Sequence, residues 1–215
     1  MAIIIDDCGQ WPAIERGYLA LPIALTLSVM PHERYTHEIA REAQAAGKGV
    51  MLHLPMEPLS HVFPGRGEVK ADMADAQIVA QTEDDLTQVP LAAGVNNHEG
   101  SAGSADARVM RLVMGVVKAH GLFFIDSRTN AASVAAATAA SDGVPNASRD
   151  VFLDNVAEVA ATKAQLDRVV AVAKAHGSAI AIGHPRPSTL EALGEYYPKM
   201  QAEGVQFVLA SSLVR

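Results

Sequence analysis

The segment AIIIDDCG places two aspartates, Asp6 and Asp7, directly behind a run of aliphatic residues. Adjacent carboxylates repel, and the end of an apolar strand is a poor place to ionise both. From these residues alone the pair reads equally as a strand end with a helix cap or as a pair with chemistry to do. Five other apolar runs also end in polar groups. MLHLPMEP supplies His53 and Glu57, and GVNNHEGS supplies Asn96, Asn97, His98, Glu99 and Ser101. FFIDSRT supplies Asp126, Ser127, Arg128 and Thr129, SRDVFLDN supplies Arg149, Asp150 and Asp154, and AIAIGHP supplies His184. Histidines together with carboxylates are the nitrogen and oxygen donors of a divalent metal site.

Each group has an ordinary structural explanation when taken singly. His53 lies in an apolar strand, where a hydrogen-bonded core histidine is the simpler reading. His184 could end a strand before proline, Asp126 could cap a helix near Asn130, and Glu57 could be a solvated loop charge. His98 sits in a polar loop whose turn chemistry explains the Asn and Gly residues but not the histidine. His32, His37 and His61 follow no strand-end pattern and read as surface residues. The weight lies in the shared placement, because parallel α/β folds gather their active sites at the C-terminal ends of the strands.

The elements that would position these groups follow from one recurring junction. AREAQAAG runs into KGVMLHL, LVMGVVKAHG into LFFIDS, VVAVAKAHG into SAIAIGH, and YYPKMQAEG into VQFVLAS. Each is a helix-like segment closed by glycine, which adopts the left-handed C′ conformation cheaply, and then a short apolar strand. The pattern predicts an alternating α/β chain with a mainly parallel sheet. Strands are expected over 2–6, 22–29, 50–54, 91–96, 122–126, a broken 144–153, 179–183 and 206–209. Helices are expected over 11–20, 33–46, 74–88, 105–119, 130–140, 157–175 and 188–203. This count fits a barrel better than an open six-stranded sheet. The stretch EPLSHVFPGRGEVKADM reads as one long loop after the third strand, of a length that is often functional.

The 215 residues carry no composition break, so one domain over 1–215 is expected. A net charge of −7 without a dense Lys/Arg cluster argues against a nucleic-acid partner. No apolar run has the roughly 18 residues of a transmembrane helix, and no signal peptide is visible. Only Met1 and Ala2 precede Ile3. A chain that starts almost inside a strand suggests a trimmed N-terminus whose missing part carried a targeting segment. The single cysteine, Cys8, excludes an intrachain disulfide and is expected to be a buried thiol behind the aspartate pair.

In this order, AIIIDD, MLHLPMEP, GVNNHEGS, FFIDSRT, RDVFLD and AIGHP resemble the divergent polysaccharide deacetylases. These are distant relatives of the metal-dependent carbohydrate esterases that deacetylate chitin and peptidoglycan. The resemblance covers nearly the whole chain and implies a distorted (β/α) barrel of about seven strands. It implies that Asp6 is the catalytic base, Asp7 and His53 are metal ligands, and His184 is the catalytic acid. Where ordinary superfamily members carry a second histidine four positions after the first, this chain has Glu57. His98, which has no clean counterpart, is therefore expected as the third ligand, with Glu57 competing for that place. Asp126, Arg149 and Asn97 are expected around these groups, Asp126 or Arg149 as the residue that orients them. The implied reaction is metal-assisted hydrolysis of an acetyl group on an amino-sugar polysaccharide or oligosaccharide. Zinc is the first expectation, with cobalt, nickel or manganese also compatible with the donors. The implied location is the periplasm or cell envelope. Two other functions compete. One is a glycan-binding envelope module that kept the barrel and metal, although an aromatic content of 5% is low for a sugar-stacking platform. The other is a metal phosphoesterase, for which Arg128, Arg149 and Arg186 are the only obvious cations.

Overall fold

Eight short strands alternate with seven helices in a computed structural model that describes residues 1–215. The strands are β1 (Ala2–Cys8), β2 (Thr26–Val29), β3 (Gly49–Met56), β4 (Gly94–Glu99), β5 (Phe123–Asp126), β6 (Asn146–Ser148), β7 (Val151–Phe152) and β8 (Ile180–Gly183). The helices are α1 (Pro12–Ala20), α2 (Thr36–Ala45), α3 (Asp75–Gln88), α4 (Ala107–Ala119), α5 (Ala135–Asp142), α6 (Val159–His176) and α7 (Pro187–Ala202). All pairings are parallel, in the order β6-β5-β4-β3-β2-β1-β8-β7.

The two edge strands, β6 and β7, are joined by only Arg149 and Asp150. Three residue steps of extended chain reach about 11 Å at most. The edges must therefore lie side by side, which curls the sheet into a distorted barrel. The broken strand expected over 144–153 is this seam. Its halves pair with different neighbours, β6 with β5 and β7 with β8.

Strand residues alternate between two apolar clusters, as the period of two requires. Ile3, Ile5, Leu27, Val29, Leu52 and Leu54 belong to the large core of 40 buried residues between sheet and helices. Ala2, Ile4, Met51, Phe123, Ile125, Ile180 and Ile182 form the smaller cluster inside the barrel. One step of two further along the same inward rows come Asp6, His53, Ser127 and His184. The barrel interior is thus apolar at the N-terminal ends of the strands and polar at the C-terminal ends.

The helix-closing glycines behave as the sequence predicts. Gly47, Gly121, Gly177 and Gly204 all have positive φ, between 67° and 87°. The first three lead into β3, β5 and β8, but residues 206–209 are not a strand. They cross beneath the barrel instead. Val208 N–H donates to Met1 O (3.0 Å), and the Met1 amino group donates to Gln206 O (2.8 Å). Val208, Ala210, Leu213 and Val214 then pack into the interior cluster and plug its lower end. Other boundaries also moved. Residues 22–25 fall outside β2, and the helix expected over 130–140 is α5, which begins only at Ala135. β4 extends to Glu99, so His98 is a strand residue rather than a loop residue, because Asn96 to Glu99 pair in register with His53 to Met56. No helix is long and apolar enough to cross a membrane.

Candidate metal centre and active site

Successive strand residues face opposite sides of a sheet, so Asp6 and Asp7 should diverge. They do not, because β1 carries an irregularity against β2 between Ile5 and Cys8. Asp7 there takes a left-handed backbone with φ 56°. A bulge of this kind re-aims a side chain, and non-glycine residues held in this conformation concentrate at functional sites. Gly9 follows with φ 106°, and the chain then turns into α1. Buried Glu15 holds that turn. Its Oε1 accepts the backbone N–H groups of Gly9 (2.9 Å), Gln10 (3.1 Å) and Trp11 (3.0 Å). Cys8 is buried, with its thiol toward Ile5 O at 3.2 Å, behind the aspartates as expected.

Asp7, His53 and His98 converge on one point. Asp7 Oδ1 is 2.9 Å from His98 Nδ1 and 3.2 Å from His53 Nε2, and the two ring nitrogens are 3.0 Å apart. That Asp7 oxygen is buried and has no properly aligned hydrogen bond. His53 Nδ1 is 2.8 Å from Asn96 Oδ1, an acceptor, so Nδ1 carries the proton and Nε2 presents its lone pair inward. Asp7, His53 and His98 thus offer one carboxylate oxygen and two imidazole nitrogens within 3.2 Å of one another, the donor types that would hold a divalent cation. The residues therefore fit a divalent cation. Burial alone would raise the Asp7 carboxyl, but its contacts with His53 and His98 outweigh that and hold it well below the usual carboxylate range.

Asn96 joins the centre to its surroundings. Its Oδ1 accepts from Ser28 Oγ as well as His53, while its Nδ2 donates to Asp6 Oδ1 (2.9 Å) and Ser127 Oγ (3.2 Å). Asp6 is 2% exposed, and its other oxygen is 3.5 Å from His53 Nε2. Burial raises the Asp6 carboxyl above its ordinary range despite the opposing pull of His53 and His184.

Across the barrel mouth, His184 Nδ1 is 2.8 Å from Asp154 Oδ1. Asp154 is buried, and its Oδ2 accepts from the His184 backbone N–H (2.7 Å) and from Thr189 Oγ1 (2.8 Å). Tyr18 Oη reaches the carbonyl oxygens of His184 (3.0 Å) and Arg186 (3.2 Å). Burial works against a charged His184, but Asp154, Asp7 and Asp6 push its pKa up to about 9. The Phe152 ring stacks beside the imidazole, with centroids 6.2 Å apart. Between the two halves of the site lies a cavity of about 280 Å³ lined by Asp7, Trp11, Ile14, His184, Pro185 and Arg186.

The remaining candidates have other jobs. Glu57 Oε2 accepts the Ala71 N–H (2.8 Å) and anchors the long loop after β3, outside the three-donor group. Asp126 accepts from the Arg128 N–H (2.8 Å) and Ser133 Oγ (2.9 Å). Arg149 Nε donates to Ser127 O (2.7 Å), and its guanidinium lies over Phe152. Asn97 Oδ1 accepts the Ser127 N–H at 3.0 Å. These three brace the rim, and neither Asp126 nor Arg149 orients Asp6, Asp7 or His184. Asp154 holds His184, and Asn96 holds His53 and Asp6. Both stood among the strand-end polar residues without a role. His37 and His61 are exposed as expected, but His32 is half-buried against an acidic pair.

The curled parallel sheet is a fold shared with family 4 carbohydrate esterases, among them the enzyme of Streptomyces lividans, at a TM-score of 0.53 and 14% identity, covering 97% of this chain and 90% of that one. Residues 3–214 match the divergent polysaccharide deacetylase family, and the chain belongs to that family. It is 37% identical over 193 residues to an uncharacterized protein of Haemophilus influenzae, covering 90% of this chain and 69% of that one. It is 35% identical over 214 residues to the uncharacterized protein YibQ of Escherichia coli, covering 100% of this chain and 67% of that one. The uncharacterized protein ATU2773 of Agrobacterium tumefaciens shares its fold at a TM-score of 0.95 and 22% identity, covering 99% of this chain and 88% of that one. The catalytic domain of the Eubacterium rectale peptidoglycan N-acetylglucosamine deacetylase matches at 0.57 and 17% identity, covering 97% and 86%. BA3943 of Bacillus anthracis, a CE4 family pseudoenzyme, matches at 0.56 and 14% identity, covering 99% and 64%.

Proposed function

We propose that this chain removes acetyl groups from an acetylated amino-sugar polysaccharide or oligosaccharide of the cell envelope. The observation that carries the reading is the convergence of two sets of groups on one cavity. Asp7, His53 and His98 are three donors suited to a divalent cation, zinc first, and His184 with Asp154 is a proton donor facing them. A cation held by these three side chains would supply Lewis acidity toward an acetyl carbonyl and a water.

The chain's own residues do the rest. Asp6, fixed by Asn96, accepts the proton of the attacking water. His184, charged at neutral pH and locked by Asp154, donates a proton to the leaving amine. Trp11, 47% exposed at the cavity edge, offers an apolar face to a sugar ring. The test is acetate release from N-acetylglucosamine oligomers and peptidoglycan fragments by metal-loaded and chelator-treated protein. The expected result is release that chelator abolishes, that added zinc restores, and that Asp6→Asn and His184→Ala each remove.

Two observations favour a second reading. Glu57 is turned to the backbone of a loop rather than to the three donors, and a fold neighbour is described as a pseudoenzyme. A barrel that binds glycan and metal without turnover would give tight glycan binding and no acetate from metal-loaded protein. That result would overturn the enzymatic reading.

A further inference from the structure

A second group of donors, His32, Asp84 and Asp85, shares no residue with the first. His32 lies just beyond β2, and the aspartates sit on α3. His32 Nε2 is 3.2 Å from Asp84 Oδ2 and 3.0 Å from Asp85 Oδ1, and the three donor atoms all lie within 4.8 Å of one another. Asp85 is fully buried. Gln81 Nε2 also donates to Asp85 Oδ1 (3.1 Å), but Asp85 Oδ2 is buried with no partner at all. Buried polar atoms in folded proteins are almost always satisfied, so an orphaned carboxylate oxygen inside a donor cluster calls for a ligand.

The loop after β3 is built around this carboxylate. Gly67 has φ 88°, and a Cβ there would overlap Asp85 Oδ1 and lie 2.9 Å from Oδ2. The loop therefore presents bare backbone where any side chain would collide. A simple His32–Asp85 ion pair would occupy Oδ1 and leave both Oδ2 and the approach of Asp84 unexplained.

We propose that His32, Asp84 and Asp85 bind a second divalent transition-metal ion, with water completing its coordination. One imidazole and two carboxylates suit manganese or zinc, whereas calcium and magnesium prefer all-oxygen shells. The ion would fasten the segment after β2 to α3, against the glycine loop that follows β3. Its role is structural, since it cross-links elements far apart in sequence.

The experiment is metal counting on the metal-stripped full chain, reloaded with Mn²⁺ or Zn²⁺, dialysed and measured by mass spectrometry, with calorimetric titration alongside. The expected result is two equivalents for the wild type and one for His98→Ala. One is also expected for His32→Gln and for Asp84→Asn, the latter an exposed carboxylate whose loss should not unfold the chain. In these last two, the melting temperature no longer shows the second, separable rise on metal addition. A wild-type chain that binds a single equivalent removed by His98→Ala overturns the proposal, as does retention of two equivalents by both His32→Gln and Asp84→Asn. A single equivalent lost only in the His32 and Asp84 variants supports this site and removes the ion from the Asp7 centre.

Discussion

Asp154 grips His184 at two places at once, with Oδ1 2.8 Å from ring Nδ1 and Oδ2 accepting the His184 backbone N–H at 2.7 Å. The ring can then turn only one edge, Nε2, toward the barrel mouth. The same carboxylate keeps the imidazole charged through neutral pH.

The pH dependence of acetate release should follow from this grip. His184 must be protonated to donate, so activity should fall as pH rises through its pKa, about 9 in the cation-free chain and lower once a cation offsets the charges of Asp7 and Asp6. Asp154→Asn removes the hydrogen bond to a carboxylate that does most to raise this pKa and should move that alkaline limb down toward the ordinary value near 6.5. At pH 8 the loss should be on the order of ten- to hundredfold. An alkaline limb that stays in place in Asp154→Asn would mean that another group donates the proton.

Stability should track the same proton. A histidine pKa raised in the folded state stabilises most below its unfolded value of 6.5, and that contribution disappears as pH climbs through about 9. The melting temperature of the wild type should therefore fall between those limits. His184→Gln should show a smaller fall over the same window in differential scanning calorimetry.

Asn96 should control cation affinity without ever touching a cation. It fixes the proton on His53 Nδ1 and leaves Nε2 as the donor. Asn96→Ala should weaken binding about 10–100-fold, the usual effect of losing a partner that orients a ligating histidine. Competition against a chromophoric chelator would measure this, and equal affinities in the two proteins would contradict it.

His98 and Glu57 should separate cleanly. His98→Ala should abolish tight cation binding at the Asp7 centre. Glu57→Gln should leave the stoichiometry unchanged, because its carboxylate is engaged with the Ala71 N–H. Loss of the Asp7-centre equivalent in Glu57→Gln would reverse the assignment of the third donor.

Glu15 should matter to folding more than its position suggests. Its single oxygen serves three backbone N–H groups in the turn behind the aspartates. Glu15→Ala leaves all three without that acceptor in a partly buried turn and should cost roughly 1–3 kcal/mol in urea unfolding. A change within about 0.5 kcal/mol would mean that water replaces the carboxylate freely.

Much of this was legible before any coordinates, and the reason is periodicity. Helix-closing glycines at 47, 121 and 177 located three strand starts, and the polar residues ending six apolar runs located the rim. Steps of two along β1, β3 and β8 then carry Ile4 to Asp6, Met51 to His53 and Ile182 to His184. What escaped the sequence is whatever depends on a contact between distant segments. Residues 206–209 have the composition of a strand, but their partner is Met1 beneath the barrel. Asp154 and His184 are 30 residues apart, and no spacing rule links them. His32 read as a surface residue because its acidic partners lie 52 and 53 positions away, on α3. The bulge that turns both aspartates inward is a backbone event with no side-chain signature except the pair itself.

That bulge sets folding against function at a single position. At φ 56°, glycine would relieve a backbone penalty of about 1 kcal/mol that any β-carbon incurs, and it would also remove a carboxylate pressed against its neighbour. Asp7→Gly is thus a change that the backbone favours and that the contacts with His53 and His98, together with any cation they hold, resist. The backbone at this position and the three-donor cluster therefore pull in opposite directions. The sign of the melting-temperature change in Asp7→Gly would report which of the two is larger in the cation-free chain.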